Sequence, residues 1–275
     1  MNKNAESIVR LMAEKYALDI SMYSTTFLEN TVNSRMMSTS MDTPAAYLLK
    51  LADDPAEALI LQEAFTNSYS TFFRNPLTYA MLHQFVLPKI LWQKEKNHDP
   101  EIRIWSAGCA GGQEAYSLAM LTDKLVNKSY GSMKYRVFAT DNSAQELEKA
   151  GKGIYDYDAI KNTPYEYVQD YFLKTGNDYE IIDRIKKLVE FTDFDLLDGE
   201  SFSPPSSIFG DFDLVMCCNV LFYYKVEFQK LILGKFTRSI SEGGFLVTGE
   251  AEVGIINSVR GFRHYMSPAP LFVKS

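Results

Sequence analysis

A glycine-rich turn between two apolar segments is the strongest chemical signal in this 275-residue sequence. The apolar run 102–105 leads into the turn 107–112, Ala-Gly-Cys-Ala-Gly-Gly, and an apolar helical pattern starts at Glu114. Glycine permits sharp turns and close approach to a ligand, and a helix N-terminus offers free N–H groups. The turn lacks the Gly-Lys-Ser/Thr and G-x-G-x-x-G patterns of phosphate sites. We therefore expect Gly108 and Glu114 to hold a neutral or cationic nucleoside, of which S-adenosylmethionine is an example.

A carboxylate follows the next apolar segment. Phe138-Ala139-Thr140 leads directly to Asp141. In nucleoside-binding α/β folds, an acid at this strand end accepts both hydroxyl hydrogens of a ribose. The alternative is a common acid at the N-terminus of the helix that starts near Ala144. Beside the glycine-rich turn, the ribose role is the favoured interpretation.

Asp195 and Leu196 follow the third apolar segment, 188–191, at the position where adenine lies in such folds. Asp195 could accept the adenine amino group, and Leu196 could cover one face of the ring. From the spacing alone, an acid in a surface turn is the better-supported interpretation.

The fourth segment ends in a run that places polar groups among apolar ones. The run Cys217–Tyr224 contains Asn219 and Tyr223, and each of these needs a buried partner or a ligand. In a sheet of this kind, that strand end faces the reactive group of the cofactor. Tyr223 could orient or deprotonate a substrate group, although a phenol is a weak base at neutral pH. A core tyrosine with a satisfied hydroxyl explains the pattern equally well.

An arginine stands at the junction between the N-terminal part of the chain and the sheet region. In the run Ser70–Pro76, Arg74 follows two aromatic residues and precedes a proline by two positions. A guanidinium at a domain junction could bind a carboxylate through two parallel hydrogen bonds. Exposure on the surface is the commoner fate of an arginine.

The elements that position these residues follow an alternating pattern of strands and helices. The predicted strands are 102–107, 135–140, 188–191, 212–217 and 245–248. The predicted helices between them are 114–125, 144–150 and 226–240. This alternation predicts an α/β fold with a doubly wound, mostly parallel sheet that binds its ligand at the carboxyl ends of the strands.

The N-terminal part of the chain is expected to form a separate helical domain. Its predicted helices are 6–16, 23–37, 44–51 after the cap Thr43, and a helix that Asp53-Asp54-Pro55 opens and that ends near Thr66. We therefore divide the chain into 1–70 and 71–275. A connecting helix after Leu77 is expected to break near Pro88. Residues 154–187, around the turn at Gly176, predict a small antiparallel β-subdomain.

Composition excludes several classes of function. The net charge of −7 argues against a general nucleic-acid binder, and three widely spaced histidines give no metal signal. The apolar stretches are too short to insert into a membrane, and the N-terminus lacks the apolar core of a signal peptide. Cys109, Cys217 and Cys218 are read as reduced, which suits a cytoplasmic protein.

Taken in order, these segments resemble the CheR-type chemotaxis-receptor glutamate O-methyltransferases over nearly the whole chain. That family typically shows T-x-F-F-R-E, W-S-A-G-C-S-x-G-E-E-P-Y-S-L-A, A-T-D, N-L-L, C-R-N-V-x-I-Y-F and G-G-x-L. The corresponding segments here are 70–75, 105–119, 139–141, 195–197, 217–224 and 243–249. The N-terminal segment 17–36 also resembles the helical domain of the family.

The resemblance implies a class I S-adenosylmethionine-dependent methyltransferase with an N-terminal helical domain and a β-subdomain. The residues that it assigns to the cofactor are Ser70, Arg74, Gly108, Glu114, Asp141, Asp195, Leu196, Cys218 and Asn219. Among these, Ser70 and Arg74 would meet the methionine carboxylate, Glu114 its amino group, Asp141 the ribose, and Asp195 with Leu196 the adenine. Cys218 and Asn219 would lie at the transfer site, and the catalytic residues would be Arg74 and Tyr223. The implied reaction is attack by a receptor glutamate carboxylate on the sulfonium methyl group, a step in which positioning supplies most of the catalysis.

The sequence departs from the family pattern mainly where the acceptor would bind. Cys218 replaces an arginine that could guide an anionic substrate, and Asn75 replaces an acid. Residues 1–70 carry five Lys/Arg against nine Asp/Glu, a net charge of −4. The family is expected to use a basic surface there against an acidic receptor helix bundle, so like charges would weaken the encounter.

Three functions therefore stay open at the level of sequence. The preferred hypothesis is a cytoplasmic methyltransferase whose partner is a chemoreceptor-like protein. The alternatives are a non-catalytic module that senses S-adenosylmethionine or S-adenosylhomocysteine, and a methyltransferase retargeted to another acceptor. The sequence gives no oligomeric state.

Overall fold

The computed structural model describes residues 3–66, 69–99, 101–129, 133–207 and 209–275. The chain forms two compact units. The first contains Met1–Asn67 together with Phe222–Gln229, and the second contains Ser68–Leu221 together with Lys230–Ser275. None of the helices in the described parts of the chain has the length and apolar character that a bilayer crossing needs.

Within residues 3–66, the first unit is built from four helices, as the sequence predicts. These are α1 (Lys3–Tyr16), α2 (Thr25–Ser38), α3 (Pro44–Asp53) and α4 (Pro55–Ala64). The side chains of Thr43 and Asp54 cap α3 and α4, and a proline follows each cap, where its missing N–H costs nothing. The returning segment 222–229 adds Tyr224, which stacks on Tyr23 with 5.6 Å between ring centroids.

The described part of the second unit contains ten strands in two sheets. They are β1 (Glu101–Ala107), β2 (Lys134–Asp141), β3 (Ile154–Tyr155), β4 (Phe172–Thr175), β5 (Asp178–Ile181), β6 (Val189–Asp193), β7 (Phe212–Cys217), β8 (Ile240–Thr248), β9 (Phe262–Met266) and β10 (Leu271–Lys274). The larger sheet has the order β6-β2-β1-β7-β8-β10-β9. Its first five strands are parallel. Only β10 is reversed among them, since it pairs antiparallel with both β8 and β9, and β9 therefore runs in the direction of the first five; this confirms a doubly wound, mostly parallel sheet. The two C-terminal strands, β9 and β10, were not predicted from the sequence.

Helices accompany these strands along the chain. They are α5 (Pro76–Met81), α6 (Leu87–Lys96), α7 (Gln113–Ser129), α8 (Ala144–Lys152), α9 (Tyr157–Ile160), α10 (Tyr165–Tyr171), α11 (Asp183–Lys186), α12 (Val226–Ser239) and α13 (Val253–Asn257). The predicted break near Pro88 was wrong. A π-helical turn, Leu82–Val86, joins α5 to α6, and Pro88 lies in the first turn of α6. A widened turn of this kind can accommodate the ring of a proline that would clash in a regular helix.

The predicted antiparallel excursion is present as the smaller sheet, with the order β3-β5-β4. The turn between β4 and β5 contains Gly176, whose φ of +65° is a conformation that favours glycine. Asp123 of α7 joins this region to the rest of the unit, since its carboxylate accepts hydrogen bonds from Tyr135 and Tyr171 and pairs with Arg184.

Candidate active site

The glycine-rich loop after β1 is tied to the end of β2. The backbone N–H groups of Gly108 and Cys109 both donate to the carbonyl of Thr140, at 2.8 and 2.9 Å. Gly108 has a φ of +76°, and a Cβ there would lie 2.7 Å from Val220 Cγ2. The loop therefore requires glycine at this position, both for the backbone conformation and for the close approach of the chain after β7.

Asp141 ends β2 and completes the connection to the loop. Its Oδ2 accepts a hydrogen bond from the N–H of Ala110 at 2.8 Å, and its Oδ1 accepts one from the N–H of Ser143 at 3.0 Å. Burial raises the pKa of Asp141, while these N–H groups act to lower it. The carboxylate is thus fixed at the carboxyl edge of the sheet, and each oxygen can still accept from a ligand hydroxyl.

Glu114 lies at the start of α7, above the carboxyl end of β1. Its Oε1 accepts a hydrogen bond from the hydroxyl of Ser106 at 2.7 Å, and the thiol of Cys218 also hydrogen-bonds to its carboxylate. Burial raises the pKa of Glu114 to about 7, and the charge of Glu252 adds to that rise. The hydrogen bonds from Ser106 and Cys218 and the charge of Arg74 oppose it. A cationic ligand would stabilise the ionised carboxylate.

Cys218 donates to Glu114 as a neutral thiol. Burial and the charges of Glu114 and Glu252 raise the pKa of Cys218 well above its usual range. The family arginine at this position would bring a positive charge to Glu114. In this chain Glu114 receives a neutral donor from Cys218 instead, which leaves its pKa near neutrality.

A buried acid that the sequence analysis did not identify holds the segment after β7. Glu252 is 0% exposed, and its carboxylate accepts hydrogen bonds from the N–H groups of Asn219, Val220, Leu221 and Gly249 at 2.7–3.0 Å. Burial raises the pKa of Glu252, against the lowering effect of these N–H groups. Asn219 has a φ of +62°, in the left-handed region that asparagine tolerates, and the carboxylate fixes the orientation of its N–H group.

Asp195 and Leu196 lie in the loop after β6. Leu196 is buried, and Asp195 is exposed with its Oδ1 accepting from the N–H of Leu197 at 2.8 Å. This loop starts beside Asp141, because the N–H of Phe194 donates to the carbonyl of Asp141 at 3.1 Å. The structure therefore brings the two predicted acids to one edge of the sheet.

The junction segment contributes an exposed arginine. Arg74 donates from Nη1 to the carbonyl of Tyr69 at 3.0 Å and lies over the Tyr69 ring. Ser70 is half-buried in the same segment. Asn75 caps α5 and donates from Nδ2 to Glu250 at 2.9 Å, so an amide here provides a hydrogen bond that a carboxylate could not.

Tyr223 is grouped differently from the other predicted site residues. It belongs to the segment 222–229 of the helical unit, whereas Arg74 belongs to the sheet-containing unit. Its ring centroid lies 4.4 Å from that of Phe27, and its carbonyl accepts from the N–H of Ser24 at 2.7 Å. Its predicted catalytic role stays a prediction.

Comparison with known proteins identifies the family. The model of the S-adenosylmethionine-binding domain of CheR methyltransferases matches residues 68–267. The chain belongs to the CheR methyltransferase family. It is therefore an S-adenosylmethionine-dependent methyltransferase of this type, as the sequence motifs indicate, and its cofactor is S-adenosylmethionine.

Relatives of known name cover most of this CheR-family chain. A chemotaxis protein methyltransferase of Borreliella burgdorferi is 26% identical over 268 residues, which cover 95% of this chain and 91% of the relative. One of Listeria monocytogenes is 28% identical over 255 residues, covering 92% and 90%. Chemotaxis protein methyltransferase 1 of Pseudomonas aeruginosa is 34% identical over 194 residues, covering 69% and 68%.

The site fits the cofactor of this family. Gly108 allows close approach to the loop, and the carboxylate of Asp141 is fixed at the strand end, where a ribose is expected. Glu114 is a desolvated carboxylate that gains from a positive charge, as an α-ammonium group provides. The site thus suits a cationic nucleoside better than a pyrophosphate.

Proposed function

We propose that this enzyme methylates glutamate side chains of a chemoreceptor in the cytoplasm. The proposal is supported by relatives named as chemotaxis protein methyltransferases along most of the chain. The observation that carries it is the placement of Asp141 at the end of β2 and of Glu114 at the start of α7, which follows the adjacent parallel strand β1, each held by backbone or side-chain donors.

We propose the following residue roles at the cofactor. Ser70 and Arg74 hold the methionine carboxylate, and Glu114 holds the ammonium group. Asp141 accepts the ribose hydroxyl hydrogens, while Asp195 and Leu196 meet the adenine. Cys218 and Asn219 line the transfer position, and Gly108 leaves room for the ligand. When bound, S-adenosylmethionine supplies an electrophilic methyl group on a positively charged sulfur.

The chemistry asks little of general acids or bases. A glutamate carboxylate is ionised at neutral pH and is already a nucleophile, so the protein mainly has to align it and exclude water. We propose that Arg74 and Tyr223 perform this alignment, Arg74 through its charge and Tyr223 through its hydroxyl. Glu252 supports the transfer position indirectly, because it fixes the backbone of Asn219.

We also propose a division of labour between residues 1–70 as a docking domain and 71–275 as the methyltransferase domain. The basic side chains of the first unit are largely engaged within it. Arg35 forms a bidentate pair with the buried Glu57, at 3.0 and 2.7 Å, and Lys50 pairs with Asp54 at 2.9 Å. We therefore expect the receptor surface that this domain recognises to be less acidic than a bundle suited to a basic domain.

Transfer of a radioactive methyl group tests the proposal. The enzyme is incubated with labelled S-adenosylmethionine and a chemoreceptor cytoplasmic fragment from the same organism, beside a fragment whose candidate glutamates are changed to glutamine. A glutamyl methyl ester releases methanol in base. Base-volatile label on the glutamate fragment alone is the expected result. Base-stable label would indicate another acceptor, and cofactor binding without transfer would indicate a sensor; either result contradicts the proposal.

A further inference from the structure

A buried lysine supports the loop that carries Asp195 and Leu196. Lys235 lies on α12 and is 6% exposed. Its Nζ donates hydrogen bonds to the backbone carbonyls of Asp198 and Ser201, and it lies 5.2 Å from the centroid of the Phe194 ring. One ammonium group therefore contacts the loop at its beginning, its middle and its end.

The loop also has local turns, but these do not connect it to the body of the domain. The N–H of Asp198 donates to the carbonyl of Asp195 at 3.0 Å, and the Asp198 carboxylate accepts from the N–H groups of Glu200 and Ser201. Hydrogen bonds of this short range shape the loop but do not attach it to the rest of the domain. Lys235 attaches it to α12, because this residue lies 34 to 37 positions away in sequence from the two carbonyls that it binds.

The contact with the Phe194 ring also connects Lys235 to β2, the strand that ends in Asp141. The Phe194 ring packs edge-on against Trp105, with 5.9 Å between centroids. Trp105 in turn donates from Nε1 to Thr140 Oγ1 at 3.0 Å, one residue before Asp141. The ammonium of Lys235 therefore rests on an aromatic cluster that also lies beneath the end of β2.

We propose that Lys235 is a positioning residue for adenine recognition, acting through the loop Phe194–Ser201 rather than on the cofactor itself. The inference rests on the proposed adenine role of Asp195. Pre-ordering the loop lowers the entropic cost of presenting a carboxylate to the adenine amino group, so the effect should depend on that amino group.

Binding of two product analogues tests this dependence. S-Adenosylhomocysteine and S-inosylhomocysteine differ in that the latter carries a carbonyl in place of the adenine amino group. Calorimetric titration of each ligand gives the ratio of their affinities for the wild type, Lys235→Met, Lys230→Met and Asp195→Ala. Lys230 is an exposed residue of α12 and serves as the matched control. Methionine replaces the buried ammonium with an apolar group of similar length and removes the donor to the carbonyls of Asp198 and Ser201.

We expect Lys235→Met to reduce the preference for S-adenosylhomocysteine about tenfold, close to the value for Asp195→Ala, while Lys230→Met keeps the wild-type ratio. If Lys235→Met weakens the binding of both ligands equally while Asp195→Ala loses the preference, the role of Lys235 is wrong and the adenine contact of Asp195 stands. An unchanged preference in Asp195→Ala would overturn the proposed adenine contact and the inference with it. If Lys235→Met does not fold, Lys235→Gln, which retains an amide donor, should show a smaller loss of preference, and an unchanged ratio there contradicts the inference.

Discussion

The carboxylate of Asp141 lies 2.8 Å from the backbone nitrogen of Ala110, so the acid that ends β2 also fixes the glycine-rich loop that follows β1. Ala110 has a φ of +47°, a conformation that costs a residue with a side chain about 1–2 kcal/mol. A hydrogen bond to a charged acceptor helps to offset that cost. One residue therefore shapes the loop and offers its remaining lone pairs to a ligand.

The affinity for S-adenosylhomocysteine should depend on pH through Glu114. Burial raises the pKa of Glu114 to about 7, and the ionised form is the one that binds an ammonium group. Affinity should therefore be highest above pH 7 and fall about tenfold for each pH unit below it. Titration calorimetry across this range measures the midpoint.

Glu114→Gln is the control for this pH dependence. The variant should bind weakly at every pH and lose the midpoint near neutrality; a wild-type midpoint in the variant would assign the titration to another group.

The stability of the ligand-free wild type should also depend on pH through Glu114. Because the folded-state pKa of Glu114 lies above the ordinary glutamate value of 4.5, the free wild-type protein loses stability as pH rises from 4.5 to about 7. Glu114→Gln should therefore unfold at a higher temperature than the wild type at about pH 8, with no such advantage at about pH 4.

Cys218→Arg should move the pH midpoint of cofactor binding. A guanidinium in place of the thiol would favour the ionised form of Glu114 and lower its pKa, so that the midpoint falls by about one unit or more. Cys218→Ser keeps a neutral hydrogen-bond donor and should retain a midpoint close to that of the wild type. Titration calorimetry with S-adenosylhomocysteine across the same pH range measures both midpoints. Identical midpoints for Cys218→Arg and Cys218→Ser would show that residue 218 does not affect the pKa of Glu114.

Gly108→Ala should weaken S-adenosylhomocysteine binding at least about tenfold. An alanine Cβ would lie 2.7 Å from Val220 in a backbone conformation with φ of +76°, so the loop has to shift. Gly151→Ala is the matched control, because a Cβ at this position in α8 meets nothing within 4 Å. That variant should bind normally and gain about 0.5–1 kcal/mol of stability. Normal binding by Gly108→Ala would show that the loop tolerates a side chain and does not form the cradle.

Glu252→Gln should destabilise the enzyme by about 2–4 kcal/mol in urea unfolding. The glutamine amide would turn an N–H₂ group toward backbone N–H groups that now donate to a carboxylate. Glu250→Gln is the matched control, since this exposed side chain accepts a hydrogen bond from Asn75, which glutamine can also accept. Its change in the free energy of unfolding should stay within about 0.5 kcal/mol. Equal stability of the two variants would mean that Glu252 does not hold the segment after β7.

Local patterns allowed most of the elements that carry the candidate site to be predicted from the sequence. A strand, a glycine-rich turn and a helix stand next to each other in the chain, so Gly108 and Glu114 could be placed without tertiary information. Asp141 could be placed because it directly follows a short apolar strand. The third and fourth N-terminal helices followed from the caps Thr43 and Asp54, each of which precedes a proline.

Long-range contacts could not be predicted in the same way. Glu252 binds backbone groups up to 33 residues away, and its sequence surroundings resemble an exposed acidic turn. Lys235 is buried although lysine is usually exposed, and its partners lie in a distant loop. Ser106 did leave a signal, as a polar residue at the end of a buried strand. The π-helical turn before Pro88 was missed because it depends on how the surrounding helix packs.

The most direct test of the cofactor site is titration of the enzyme with S-adenosylhomocysteine, using the wild type and Asp141→Asn at about pH 8. Asparagine can still accept the N–H of Ala110 but has no charge and fewer lone pairs for a ribose. We predict micromolar binding by the wild type and a loss of at least about tenfold in the variant. Equal affinity in the two proteins would contradict the site that we describe, and absence of binding to the wild type would contradict its role in holding the cofactor.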